Sequence, residues 1–520
     1  MPSKPQRLLH EALPLVAQAH PTKVAVIVGG RAYTYAELAE QSRRLAAALQ
    51  ARGLQRGDRV AIYMDNTWSC VVAIYAVLQA GGVFLVVNPQ TKADKLAFVL
   101  NDCAVKVLFC DAHLAYVYDK ALGDVPSLTH AIVAGGDAVS PAAGAAPPAV
   151  EAWTDVLAGA EAVPRDAGTI ALDLASLIYT SGSTGNPKGV MHTHQSMLFA
   201  AGSLIEYLRM DADEVIVNVL PLAFDYGLYQ LLMAVQLGAT LVLERSFTYP
   251  ADVFKRLEQH GVTTFPGVPT IYSIILAAHS RKPLSFPSVK RITNTAAALP
   301  SDYVPRLREV FPNALVFKMY GLTECKRVSY LEPELADLKP RSVGKAIPGT
   351  EIFLLNAEGR PAAPHEPGIL HVRGPHVMVG YWNRPEQSAQ MLCAGRLPGE
   401  RILRTGDWFH TDEEGFLYFD GRSDDIIKTR GEKVSPVEVE NVLYGVPGVL
   451  EAAVIGVADD LLGQAIRAYV VRVPGAGLQE RSLRRELNEK LENFMVPRDI
   501  IFVDSLPKSP SGKISKKDLT

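Results

Sequence analysis

Residues 70–87 read CVVAIYAVLQAGGVFLVV, eighteen residues in which Gln79 is the one strongly polar side chain. A run of that length reaches the threshold for a membrane-spanning helix. Gly81-Gly82 divides it, however, and a buried helix, a turn and a buried strand account for the same residues. The second reading fits the rest of the chain, where the same grammar recurs. Leu38, Leu45 and Leu49 share one helical face within 35–54, and Gly53 supplies a C-terminal cap. Strands are expected at 58–64, 105–110, 215–220, 240–243 and 262–265, with helical stretches between them. Such alternation predicts α/β layers with largely parallel sheets.

At 520 residues the chain exceeds one simple core, so two or more packed units are expected. Its 52 Lys and Arg against 55 Asp and Glu leave a net charge of −3, which offers no global field for nucleic acid or anionic membranes. Any anionic substrate must be held by a few placed groups. The 40 Gly and 35 Pro lie near the globular average and exclude whole-chain disorder. Cys70, Cys103, Cys110, Cys325 and Cys393 are odd in number and form no C-x-x-C pair, which argues against a disulfide framework or zinc knuckle and for a reducing, cytoplasmic compartment. Glu11 and Pro14 break the apolar start, and no small-residue cleavage pattern follows, so the N-terminus reads as amphipathic rather than as a signal peptide.

The Ala-, Gly- and Pro-rich stretch 135–150 reads as a loop or crossover. From Thr350, short alternating runs at 352–355 and 369–372 predict a small β-rich subdomain. Beyond Gly421-Arg-Ser-Asp-Asp425, strands at 452–457 and 468–473 and a helix from Leu483, carrying Leu487 and Leu491 on one face and ended by Pro497, predict a separate α+β unit.

The densest chemical signal is Tyr179-Thr-Ser-Gly-Ser-Thr-Gly-Asn-Pro-Lys188-Gly189, directly after a mostly apolar run. Glycines let backbone approach an anion, the hydroxyls of Thr180, Ser181, Ser183 and Thr184 bond phosphate oxygens, and Lys188 adds a point charge. The spacing is not that of a Walker loop, since the residue five after Gly182 is Pro187. On composition alone a polar Gly/Ser linker remains the alternative.

The loop has companions. In order along the chain come Tyr33-Thr-Tyr-Ala-Glu-Leu38, Leu78-Gln-Ala-Gly-Gly82 through Asn88-Pro89, the loop itself, Tyr320-Gly-Leu-Thr-Glu324, Gly368-Ile-Leu-His-Val-Arg-Gly374 with Gly380-Tyr381, Arg404-Thr-Gly-Asp407, Gly421-Arg-Ser-Asp-Asp425 with Lys428 and Gly431, and Ser511-Gly-Lys513-Ile. From Tyr33 to Lys516 the chain resembles the adenylate-forming superfamily of acyl-CoA synthetases, amino-acid adenylation domains and luciferases. The resemblance implies a large N-terminal domain, 1–422, of layered and largely parallel sheets and helices with a β-rich subdomain at about 350–422. A small mobile α+β lid, 423–520, completes the expected fold.

It also implies a reaction. A carboxylate attacks the α-phosphorus of ATP, pyrophosphate leaves, and the acyl adenylate then reacts with a thiol. Thr180, Ser181, Gly182, Ser183, Thr184, Gly185 and Lys188 would hold the β- and γ-phosphates. Glu324 would bind Mg²⁺ and Thr323 the α-phosphate, while Tyr320 would stack on adenine. Asp407 would accept from the ribose hydroxyls with Arg422 donating to the same sugar, and Lys513 would bridge the substrate carboxylate and the α-phosphate. Asp424 takes the position of the lid hinge, and Gly431 that of the thiol tunnel. Taken singly, the segment around Glu324 reads equally as a capped loop, Thr-Gly-Asp407 is a common turn, and Lys513 without the resemblance reads first as part of a solvated basic tail with Lys516 and Lys517.

The acid site is expected around Asp225, Tyr226, Gly227, Ala296, Ala297 and Gly321. Many acyl- and aryl-CoA synthetases carry an aromatic-His pair where this chain has Phe224-Asp225. An aspartate there resembles amino-acid adenylation domains, where it bonds the α-amino group; a capping or supporting aspartate is the alternative. Gly227 fits the CoA-ligase pattern. Ala296 and Ala297 replace glycines common in relatives and would narrow the cavity toward a compact acid. Lys326-Arg327 either meets a second anionic group or forms a solvated basic turn. His192 and His194 have no third ligand candidate nearby in sequence, so no metal site is assigned to them.

A stand-alone enzyme is expected, acting on a small-molecule carboxylic acid and taking its thiol from coenzyme A. The phosphopantetheine of a separate acyl or peptidyl carrier protein is the alternative, and an amine acceptor stays open. The competing readings are an amino-acid adenylating enzyme that loads such a carrier and a catalytically inactive nucleotide-binding protein. Lys188, Glu324, Asp407, Arg422 and Lys513 together argue against the last.

Overall fold

A computed structural model describes residues 6–519 apart from 137–147, 161–162, 181–186, 423–424, 426, 430–431, 460–462, 492 and 510–511. In it the stretch 70–87 resolves into the helix Trp68–Gln79 and the strand Val83–Val87. The Thr67 hydroxyl starts the helix by accepting from Cys70 N. Gly81, at φ +83°, turns the chain back, and the residues of the strand are all buried. No helix among the described residues is long and apolar enough to cross a membrane. The helix Tyr35–Ala51 opens on a capping box, in which Thr34 Oγ1 accepts from Glu37 N and the Glu37 carboxylate accepts from Thr34 N.

The chain divides into two compact units. The first comprises Met1–Pro266, Leu322–Arg327 and Gly374–Arg401. One of its sheets runs in the order Ala149–Ala152, His130–Ala134, Val107–Asp111, Arg59–Tyr63, Val83–Val87, Leu174–Thr180, Lys188–Thr193, and every pairing is parallel except the last. The other contains Val215–Asn218, Thr240–Leu243 and Val24–Val28 in parallel, with Arg31–Thr34 antiparallel at its edge. Parallel strands buried on both faces read as unbroken apolar runs, which is why the segment 70–87 mimics a membrane span.

The second unit comprises Gly267–Gly321, Val328–Arg373 and Ile402–Thr520. Arg291–Asn294 and Leu315–Tyr320 pair in parallel. Ser329–Leu331, Ser342–Ala346, Leu417–Arg422, Arg401–Thr411, Gly368–Arg373 and Glu351–Leu355 continue the sheet in antiparallel order. The strands of this run lie on both sides of Thr350, where the sequence placed the start of a β-rich subdomain. A separate sheet follows, built on the long hairpin Val449–Asp459 and Gly463–Arg472 with Asp499–Val503 parallel to it. Val439 and Leu443 of the helix Pro436–Tyr444, and Leu483 and Leu487 of Glu480–Lys490, bury against this sheet. The second helix stops at Lys490, where Leu491 is already extended, so Pro497 is not its terminator.

Candidate active site

The loop 181–186 lies outside the described residues, so Ser181, Gly182, Ser183, Thr184 and Gly185 are not placed. Its frame is placed. Leu174–Thr180 and Lys188–Thr193 form an antiparallel hairpin with Thr180 opposite Lys188. A Cβ at Gly189 would stand 3.1 Å from the ring of Tyr179, whose hydroxyl donates to Asp102 Oδ2 at 2.7 Å. Burial pushes that phenol far above its ordinary pKa, so it stays a donor.

The segment 379–382 runs along Lys188–Thr193. Val379 N donates to Met191 O at 3.0 Å, and Trp382 N to Gly189 O at 2.8 Å. That pairing sets the Tyr381 ring 5.2 Å from Lys188 Nζ and its hydroxyl 2.6 Å from Glu324 Oε1. Lys188, Tyr381 and Glu324 thereby form one constellation. Tyr381 was not among the sequence candidates, although the Gly380-Tyr381 pair that contains it stood in the ordered motifs.

Main-chain contacts fix the segment that carries Glu324. Met378 N donates to Glu324 O at 2.8 Å, and His192 Nε2 lies 2.8 Å from Thr323 O. A carbonyl only accepts, so His192 carries its proton on Nε2. Burial pulls this ring down to about 4, leaving it neutral at pH 7. His194 Nδ1 accepts from Leu9 N at 3.2 Å, so each histidine has a partner in the fold. Glu324 offers a hard carboxylate oxygen, a ligand that suits Mg²⁺ carried in with substrate phosphates.

Asp225 is the first residue of the helix Asp225–Leu237. Its Oδ2 lies 3.3 Å from Lys326 Nζ, which sits 4.5 Å from the Tyr229 ring centroid and 5.4 Å from that of Tyr226. Lys326 and Arg327 are only 2% and 1% exposed, which removes the solvated basic turn. A three-residue turn drives Lys326 inward: Arg327 N donates to Cys325 O at 2.7 Å across a Lys326 φ of +62°. Burial draws the Lys326 ammonium down to about 7 against the opposing pull of Asp225. An incoming amino group would compete with Lys326 Nζ, which already donates to this carboxylate. Tyr226 is buried beneath these cations, with Arg327 5.6 Å from its ring centroid. Gly227 answers to packing, since a Cβ there would stand 2.4 Å from Pro221 O.

In the second unit, Asp407 and Arg422 stand opposite each other on adjacent strands, with Arg422 Nε 3.6 Å from Asp407 Oδ1. The Tyr320 hydroxyl donates to Asp407 Oδ2. The Tyr320 ring is held edge-on by Phe409 at 4.8 Å and stacked on Phe419 at 6.1 Å. Gly321 follows Tyr320 directly, at the end of this unit's segment. Ala296 is half-buried at φ +77°, and Ala297 is exposed, its carbonyl accepting from Asn294 Nδ2 at 2.9 Å. Lys513 is exposed in a loop closed by Ser509 N donating to Lys513 O at 2.7 Å. The loop docks on the helix Pro269–Arg281 through Thr270 Oγ1, which donates to Gly512 O at 3.2 Å. Asp424 and Gly431 lie outside the described residues.

Residues 14–382 match the family model of AMP-binding enzyme, and 438–513 match the AMP-binding enzyme C-terminal domain. A long-chain-fatty-acid–CoA ligase of Bacillus subtilis (strain 168) is 31% identical over 99% of this chain and 94% of its own length. An anthranilate CoA ligase solved with anthranoyl-AMP superposes with a TM-score of 0.90 at 26% identity, covering 98% of this chain and 96% of that one. An o-succinylbenzoate coenzyme A synthetase from Bacillus subtilis, in complex with ATP and magnesium ion, gives 0.83 at 28% identity over 98% of both chains.

Proposed function

This chain belongs to the AMP-binding enzyme family, and on that premise we propose how its own residues divide the work. It is an ATP-dependent acid–CoA ligase: a carboxylic acid is activated as an acyl adenylate with release of pyrophosphate, and the acyl group then passes to the CoA thiol.

The observation that carries the residue assignment is the constellation of Lys188, Tyr381 and Glu324. Lys188 meets the terminal phosphates as a point charge at the foot of the hairpin, and the hydroxyls and glycines of 180–185 are assigned to the same phosphates. Glu324, aimed by Tyr381, is the protein carboxylate for Mg²⁺, and that ion when bound neutralises charge on the phosphates. His192 holds the Thr323 main chain so that its hydroxyl addresses the α-phosphate. Tyr320 is the adenine platform, and Asp407 with Arg422 receives the ribose. Lys513 bridges the acid carboxylate and the α-phosphate, where charge moves as the new bond forms; an ammonium already in place favours that transition state. Residues 423–520 act as the lid, with Asp424 at the hinge and Gly431 along the thiol passage.

The amino-acid reading rested on an available Asp225 carboxylate, and the Lys326 contact weakens it. The CoA ligases among its relatives support CoA as the acceptor.

Acid-dependent ATP–pyrophosphate exchange across fatty, aryl, dicarboxylic and amino acids tests the reading, followed by thioester formation with CoA. AMP, pyrophosphate and acyl-CoA are the expected products. Formation of ADP, or exchange indifferent to the acid, would overturn it.

A further inference from the structure

Lys513 stands on a hairpin whose two arms are both tied to the sheet and helices that precede it. Ser515 N donates to Pro507 O at 2.8 Å, Ser509 N donates to Lys513 O at 2.7 Å, and Lys508 pairs with Ile514 in an antiparallel bridge. Ile514 packs with Leu519 against the buried cluster of Ala453, Tyr469, Val471 and Leu506. With Ile514 turned inward, its neighbour Lys513 is left exposed.

Each arm also runs into a lysine that ends on a largely buried carboxylate. At the start of the hairpin Lys508 Nζ lies 2.7 Å from Glu451 Oε1, on the strand Val449–Asp459. Just past its end Lys516 Nζ lies 2.7 Å from Glu440 Oε1, on the helix Pro436–Tyr444. The Glu451 and Glu440 side chains are only 11% and 14% exposed. Glu440 Oε1 also accepts from Val454 N at 2.8 Å, so one oxygen joins the helix, the strand and Lys516. Lys516 is therefore an anchor and not part of a solvated tail.

The use of such anchors follows from what Lys513 needs. A lysine is a point charge on a flexible four-carbon stem, with no planar fork to fix its direction. It favours a developing charge only if the ammonium is in place beforehand, and a displacement of about 1 Å can lower a rate by about 10². A two-stranded hairpin is marginally stable at best on its own in water. Its position must be set from outside. Ion pairs whose lysines still reach solvent add little to global stability, so their consequence falls on where the hairpin sits.

We propose that Glu440–Lys516 and Glu451–Lys508 are positioning pairs for Lys513: they lock both arms of its hairpin to the rest of the lid, so that the ammonium meets the reacting carboxylate and α-phosphate in a fixed place. The proposal rests on the assignment of Lys513 made above and adds the residues through which the fold enforces it.

The test separates the two half-reactions. Glu440→Gln keeps an acceptor for Val454 N and removes the charge, while Lys508→Met and Lys516→Met keep the apolar stems. Each should slow acid-dependent pyrophosphate exchange by about tenfold in kcat and leave thioester formation from prepared acyl adenylate and CoA within about twofold of wild type. Lys516→Arg, which restores a cation for Glu440, should recover most of the lost rate. Placed in Lys513→Ala, the same substitutions should slow exchange by less than about twofold further, because residues that act through one group are not additive. Unchanged exchange in the single variants, an equal fall in both half-reactions, or a full further loss in the Lys513→Ala background would overturn the proposal. If Glu440→Gln does not fold, the two lysine variants decide alone. Near-normal exchange in Lys513→Ala itself would instead overturn the assignment of that lysine, an outcome distinct from the others.

Discussion

Tyr381 reaches Glu324 through its hydroxyl, 2.6 Å from Oε1, while its ring lies 5.2 Å from Lys188 Nζ. One side chain thus orients the acidic and the basic member of the candidate phosphate site. Tyr381→Phe keeps the ring and removes the donor. Losing a hydrogen bond to a charged group should raise the magnesium and ATP requirement of pyrophosphate exchange by about tenfold, with a smaller effect on kcat. Titration of exchange against free Mg²⁺ checks this, and superimposable curves for the two proteins would remove Tyr381 from the site.

Asp407 and Tyr320 form a second relationship of the same kind. Asp407→Ala should weaken AMP binding by about tenfold or more, because the ribose loses a charged acceptor. Tyr320→Phe keeps the packing on Phe409 and Phe419 and should cost less, about threefold. Equilibrium binding of AMP measures both. Wild-type affinity in Asp407→Ala would refute the ribose assignment.

These contacts mark where sequence patterning stops being informative. Alternating apolar runs and caps are local, so the helix Tyr35–Ala51 and the strands Arg59–Tyr63 and Thr240–Leu243 emerge near their predicted bounds. Ordered motifs nominate Glu324, Asp407 and Lys513 as candidates, because each carries its chemistry in a short string. The strand Lys188–Thr193 escapes notice since His192 and Thr193 are polar and its partner is the strand before the loop. Lys326 is harder still. Adjacent basic residues ordinarily mark solvated turns, and its burial depends on an unusual φ and on Asp225, 101 residues away. A partner that distant leaves no periodicity to read.

Gly227 presents a different kind of dependence, on space. An alanine Cβ there would meet Pro221 O at 2.4 Å and Leu220 O at 2.7 Å, both backbone atoms. Gly227→Ala should destabilise the protein by about 1–3 kcal/mol through overpacking. It should also raise KM for the acid, since Asp225 lies in the same helical turn. A melting temperature equal to wild type would show that the turn at 220–221 yields freely.

Lys513 projects from a loop that Thr270 and Ser509 hold in place. Lys513→Ala should slow adenylation by about 10² or more, the scale of losing a preorganised electrostatic contact. The second half-reaction, started from chemically prepared acyl adenylate and CoA, should be far less affected. Asp424→Pro is the converse case, expected to spare adenylation and impair thioester formation because a fixed φ restricts a hinge. Near-normal pyrophosphate exchange in Lys513→Ala would sink the lysine's role.

His10 and His194 meet edge-on with ring centroids 6.1 Å apart, and burial pulls both down to about 4; His10 pushes His194 further the same way, while Glu11 and Asp173 act in the opposite sense on His10 and His194 respectively. An unfolded histidine titrates near 6.5. Above that pH both states are neutral and the full stability is present. As pH falls toward 4 the unfolded chain takes up protons that the folded rings refuse, so stability declines through this window and levels off once the folded rings protonate too. The loss amounts to about 3 kcal/mol for each ring. His194 has an added reason to stay neutral, since its Nδ1 accepts from Leu9 N and protonation would remove the acceptor. Carboxylates elsewhere also titrate below pH 5, so the informative quantity is the difference between proteins. His10→Phe keeps an aromatic edge against His194 and removes one titrating ring. Its melting temperature should fall less than that of wild type between pH 7 and pH 4.5, with the two curves converging as the pH drops. Parallel curves would mean that water reaches these rings and that neither is held neutral by burial.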